Sequence, residues 1–176
     1  GLCRLIGNVR DVDACSDLDA LYGKVRGGAG ARGGVGKLLP LRQRADAVNR
    51  MVRDRLENLL PALMHEAGLD CWLVINREYA EDPVYLTLDP EPVFAARRTT
   101  MLAFFDRGAE KGIERVTVSR YPIGNLYASA WKGGSDDDQW TRLAEVVKER
   151  NPKKIGVNVT RHWAFGDGLS AGLRDR

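Results

Sequence analysis

Cysteine and histidine are scarce in this chain: Cys3, Cys15 and Cys71 are the three cysteines, and there are two histidines. An odd set of cysteines without a close-spaced pair makes neither a disulfide framework nor a zinc site. Reduced thiols are expected, with Cys71, at the head of an apolar stretch, acting as a small buried hydrophobe. No apolar run approaches the ~20 residues that cross a bilayer. An excess of charge is also missing, because 27 basic residues stand against 24 acidic ones for a formal +3, which gives no general attraction to nucleic acid or anionic lipid. The chain opens with Gly1 and lacks the basic, apolar, small-residue progression of a secretory signal. A soluble protein is expected, with its natural start upstream and its compartment undetermined.

Glycine, by contrast, is concentrated. Residues 23–36 include Arg26-Gly27-Gly28-Ala29-Gly30-Ala31-Arg32-Gly33-Gly34, a composition that buries too little apolar surface to offset its chain entropy. Residues 1–37 therefore read as a flexible Gly/Arg-rich extension, and residues 38–176 as one α/β domain. Gly28 to Gly33 fits G-x-G-x-x-G, and residues 31–37 come close to a phosphate loop. Leu38, however, stands where a Ser or Thr would hold magnesium, and no strand precedes either pattern. Nucleotide binding is not expected.

From Arg42 the apolar residues Ala45, Val48, Val52, Leu56, Leu59, Leu60, Leu63 and Ala67 recur at helical steps, and Gly68 provides the stop. Pro61 removes one backbone donor from this run, which predicts a kink or a short second helix. No aromatic residue interleaves with Arg42, Arg44, Arg50, Arg53 and Arg55, so this basic stripe reads as a solvated helix face. His65-Glu66 lacks the second histidine of H-E-x-x-H, since position 69 is Leu. Strands are predicted at 72–75, 101–105, 115–119 and 154–159, the middle two as a hairpin with the more apolar member at the sheet centre. A helix over 139–150 follows Ser135 and three aspartates, read as helix-start charges, with Trp140, Leu143, Val146 and Val147 inward. Asp167 can cap a last helix, and His162-Trp163 reads as a loop residue beside a core-covering one.

Three segments carry a family likeness: 70–82, with Asn-Arg-Glu-Tyr-Ala-Glu-Asp after an apolar strand; Arg97-Arg98-Thr99 leading into Phe104-Phe105-Asp106-Arg107-Gly108; and Asn151-Pro152-Lys153-Lys154-Ile155-Gly156-Val157-Asn158. On these the chain from about Leu38 to Leu173 resembles the amino-terminal, non-catalytic domain of the creatinase, prolidase and Xaa-Pro aminopeptidase group of pita-bread metallopeptidases. The bacterial Xaa-Pro aminopeptidase-like branch is the nearest in character. Tyr85-Leu86-Thr87 is similar to a tyrosine-containing motif of the group, with Leu88-Asp89 in place of its usual Gly-Phe. The resemblance implies a three-layer α/β domain, a mixed sheet flanked by helices, that packs against a catalytic domain and a second subunit and narrows peptide access. It also implies two divalent metal ions, held by two aspartates, a histidine and two glutamates in that other domain. None of those ligands has a counterpart here. The expectation is a fragment that ends near Arg176, with no catalytic residue, metal ligand or cofactor of its own.

The charged stretch after the first strand is the expected cleft-facing or interface surface: Asn76, Arg77, Glu78, Tyr79, Glu81 and Asp82. Strand ends are where α/β sheets present ligand-binding loops. Arg77 could pair with a peptide carboxylate, and Glu78, Glu81 or Asp82 with an amino terminus. The ordinary reading of Asp82-Pro83 is a turn into the next element. Arg97 and Arg98 are candidates for an inter-domain clamp or for an exposed strand entrance. A stand-alone protein-interaction domain is the alternative function, and a nucleic-acid adaptor using the basic extension is a third, which salt-dependent binding would support.

Overall fold

A single helical run opens the described residues, but one widened turn interrupts it. The computed structural model describes residues 38–159 and 169–176; the extension 1–37, His162, Trp163 and Asp167 lie outside the described residues. Leu41–Arg176 form one compact unit. Helix α1 (Leu41–Asp54) passes through a π-helical turn (Arg55–Leu59) into α2 (Leu60–Ala67), and Pro61 falls at the start of α2. A missing proline N–H is tolerated in a first turn, so the run bends its hydrogen bonding ahead of the proline instead of breaking. Four-residue steps overshoot an α-helical turn of 3.6 residues and fall short of a π turn, which closes i to i+5. The two drifts offset, and Val52, Leu56, Leu60 and Met64 form one buried row. The sequence pattern placed Leu59 on this row; the widened turn leaves it 45% exposed and brings in Met64. Gly68, at φ +59°, ends α2 as expected.

Strand β1 (Cys71–Arg77) is longer than the apolar run that announced it, because Asn76 and Arg77 keep pairing with Thr100 and Thr99. The stretch after it is more regular than its charges suggested, for Asp82 caps a helix, α3 (Pro83–Leu88). Strands β2 (Thr99–Asp106) and β3 (Ile113–Thr117) form the expected antiparallel hairpin. A two-residue strand β4 (Ala128–Ser129), too short to leave a sequence pattern, pairs parallel with β3. Helix α4 (Asp136–Arg150) leads to β5 (Ile155–Val157), parallel to β1, and α5 is Ala171–Arg174. Ser135 opens α4 with a full capping box: Asp138 N–H donates to Ser135 Oγ, and Ser135 N–H donates to the Asp138 carboxylate. That bonding holds the Asp138 carboxyl below its usual range.

The sheet order is β4-β3-β2-β1-β5, so the most apolar strand, β2, lies at its centre. Alternate residues of β2 serve two cores. Leu102 and Phe104 join Val74, Tyr85, Tyr127 and the row from α1 to α2 on one face. Met101, Ala103 and Phe105 join Cys71, Ile75, Leu143, Val146 and Leu173 on the other. The result is a three-layer α/β domain with a mixed sheet. Each large side chain fully buried in these layers stabilises the fold by roughly 1.5–3 kcal/mol. No helix among the described residues is long and apolar enough to cross a membrane.

Candidate functional site

Where β1 ends and β2 begins, two backbone positions adopt the left-handed conformation without being glycine: Tyr79 at φ 67° and Arg98 at φ 51°. Such positions cost about 1 kcal/mol or more each and persist where the surroundings fix them. At Arg98 the fixing is visible. Glu78 N–H donates to Arg98 O at 2.6 Å, and Arg98 N–H donates to Glu78 Oε2 at 3.1 Å. Nearby, Ala96 N–H donates to Glu81 Oε1 at 3.1 Å, and Arg97 N–H to Thr100 Oγ1 at 3.0 Å. The two carboxylates after β1 thus hold the backbone that enters β2.

Two grooves share Glu78, Arg97 and Tyr121 in their walls. The smaller, about 470 Å³, brings together Arg98, Arg120, Trp131, Asp136 and Gln139. Arg97, Arg98 and Arg120 make no ion pair among the described residues; Arg120 donates to Gly134 O at 3.1 Å and lies 6.0 Å from the Trp131 ring centre. The larger, about 600 Å³, is walled by Tyr79, Glu81, Tyr85, Val93, Phe94 and Ile123. Tyr79 and Phe94 are 93% and 83% exposed, so this wall offers aromatic surface to solvent. Both volumes suit a small ligand or a short extended segment.

Gln139 underlies the smaller groove. Its amide donates to Thr99 O at 2.9 Å and to Val118 O at 2.6 Å, tying α4 to the ends of β2 and β3. Nothing in the 3.6-residue apolar pattern of α4 singled out this buried amide.

The residues expected from sequence divide into two groups. Glu78, Tyr79, Glu81, Arg97 and Arg98 meet at the grooves. Asn76 and Asp82 are buried: Asp82 N–H donates to Asn76 Oδ1 at 2.8 Å, Val84 N–H donates to Asp82 Oδ1 at 2.8 Å, and Asn158 Nδ2 donates to Asp82 Oδ2 at 2.8 Å. Their polar atoms cap α3 and anchor the segment after β5. Arg77 is exposed at the end of β1 and lines neither groove. Arg120, Tyr121, Trp131 and Phe94 were not singled out in the sequence. The signal for Arg120-Tyr121 was available, since they follow the β3 run as Asn76 to Asp82 follow the β1 run.

The arrangement sets guanidinium groups, carboxylates and aromatic rings side by side in the groove walls. Among the described residues no group of three or more His, Cys, Asp or Glu side chains is placed to hold a metal ion. Cys71 is free and buried; burial, reinforced by the Asp70 carboxylate, pushes its thiol up to about 12, which removes the thiolate that makes a cysteine nucleophilic. His65 lies outside the grooves, 2.9 Å from the Asp106 carboxylate. Comparison with protein-family models, with curated proteins and with solved structures yields no match.

Proposed function

We propose that this chain is a non-catalytic amino-terminal domain of a metal-dependent, Xaa-Pro aminopeptidase-like peptidase, contributing to oligomerisation and to the shape of the substrate entrance. The observation that carries the reading is the convergence of Glu78, Tyr79, Glu81, Arg97 and Arg98 on two adjoining grooves at one end of the sheet. The three segments on which the family likeness rests supply β1, β2 and β5, which are neighbours in the sheet. In this role the parent protein's catalytic domain would supply the two metal ions, and the grooves would face its substrate. A second copy of the chain and the catalytic domain are the partners.

The test is to follow the gene's reading frame past the codon for Arg176, express its whole product with divalent metal, and assay release of the first residue from Xaa-Pro peptides. The reading expects an Asp, Asp, His, Glu, Glu ligand set downstream and a raised KM when Arg97 and Arg98 are both replaced by Ala. A frame that stops at once, or a product with no peptidase activity, overturns it in favour of a stand-alone interaction domain.

A further inference from the structure

Asp89 follows α3 directly and begins the connection to β2. It is 5% exposed, and neither carboxylate oxygen has a hydrogen-bond partner among the described residues. A buried carboxyl with only the Tyr85 hydroxyl beside it as a donor, and no well-formed hydrogen bond, is cheaper to keep neutral than ionised. The groups around it do not favour the anion strongly. From α3 the Tyr85 hydroxyl lies alongside and partly offsets the burial, while from the turn after β1 the Glu81 carboxylate adds repulsion. Tyr127, before β4, commits its hydroxyl to Leu88 O at 2.9 Å. Arg55 on the π turn is committed to Thr87 O at 2.6 Å; Arg115 on β3, whose buried Nη1 has no hydrogen-bond partner among the described residues, acts electrostatically on Tyr127 and not on Asp89. Thr100 on β2 sits against the Tyr85 hydroxyl, and Asn49 on α1 is uncharged. Among the described residues no cation therefore compensates a charge at Asp89. Burial is the main cause that raises its carboxyl to about 7.

The connection after Asp89 is the piece able to respond. Residues 90–96 form no helix or strand, and Pro92, Val93, Phe94, Ala95 and Ala96 are all in the wall of the larger groove. Few bonds hold the connection: Glu91 exchanges two with the Asn49 side chain, Val93 N–H reaches Pro90 O, and Ala96 N–H reaches Glu81. The Glu91 pair is exposed, and exposed backbone bonds open at low cost.

We propose that Asp89 is a proton-operated latch at the root of the 90–96 connection: neutral, it keeps the connection seated and the larger groove formed; ionised, it loosens both. The inference does not depend on the peptidase reading, because it concerns the groove's shape and not its ligand. An ionised Asp89 needs water or a donor, and the irregular connection that begins at the next residue is the adjoining chain able to move and admit either.

Amide hydrogen exchange on the full 176-residue chain between pH 5.5 and 8.5, corrected for intrinsic rates, tests this. Protection at Val93 and Ala96 should fall at least about tenfold as Asp89 ionises, while Leu102 and Phe104 in β2 hold theirs. Asp89→Asn should remove the pH dependence. Tyr85→Phe, which deletes the one hydroxyl favouring the anion, should move the midpoint to higher pH. That second variant keeps the proposal open to refutation should the first fail to fold. Equal pH dependence in wild type and Asp89→Asn, loss of protection spread uniformly over the sheet, or an unmoved midpoint in Tyr85→Phe would overturn the latch.

Discussion

Glu78 and Arg98 hold each other twice, once through Glu78 N–H to Arg98 O and once through Arg98 N–H to the Glu78 side chain. One clasp fixes both the end of β1 and the left-handed residue before β2. The side-chain half is removable without touching the other. Glu78→Ala should destabilise by about 1 kcal/mol, seen as a lower urea midpoint, and should speed amide exchange at Arg98 selectively. No change at Arg98 would mean that the backbone bond alone holds the turn.

Asp82 should matter more to folding than to binding. It caps α3 and receives Asn158 from the far end of the chain. Removing a cap costs about 1 kcal/mol, and the buried donors left behind add about 1–3 kcal/mol. Asp82→Ala should therefore lower the melting temperature well beyond Arg77→Ala, which removes an exposed group. Similar melting temperatures for the two variants would contradict the buried-cap assignment.

Gln139 offers a separable test of the other face. Gln139→Ala strands Thr99 O and Val118 O, and roughly 2 kcal/mol of stability should be lost with them. Gln139→Leu restores the volume but not the donors. If Leu rescues stability fully, packing and not hydrogen bonding is what the amide provides.

Stability should also depend on pH through Asp89. In the unfolded chain its carboxyl ionises near the ordinary 3.8, whereas the folded protein keeps the proton up to about 7. The folded state binds more protons in that window, so this contribution is complete below about 4, falls as pH rises, and is lost above about 7. The full difference corresponds to about 4 kcal/mol. Urea melts of Asp89→Asn should lack this fall and lie above wild type at pH 8. A wild-type melt that does not change between pH 5 and 8 would rule the contribution out.

Cys71 should be inert while folded. In a Cys3→Ser, Cys15→Ser background, its thiol should resist iodoacetamide at pH 8 and react once urea unfolds the chain, because burial and a raised pKa both suppress the thiolate. Rapid labelling without urea would show the strand opening locally.

The sheet was legible wherever one physical rule dominated. The apolar run of β2 announced a central strand, and Gly68 and Ser135 announced a helix stop and a helix start. Competing effects obscured the rest. Leu59 fitted the α period, but a proline two residues on forces a wider turn whose phase the period does not contain. Asn76 and Asp82 looked like surface because they are polar, and their burial depends on partners contributed by the turn into α3 and by Asn158 after β5. Half of the site was accessible to the strand-end rule. Arg120 and Tyr121 after β3 were open to the same rule, whereas Phe94 and Trp131 come from segments whose convergence is a property of the whole fold.

That order also sets when things can happen. β1 pairs with β2 across a short stretch of chain, but its other edge waits for β5, since Cys71 is partnered by Ile155 and Leu73 by Val157. Contacts between residues so far apart form late, because the intervening chain must be gathered first. Until then the apolar edge of β1 is an open template for strands from other molecules. During synthesis, that hazard lasts from the emergence of β1 until the arrival of β5, and it returns in any shortened product that stops before Ile155.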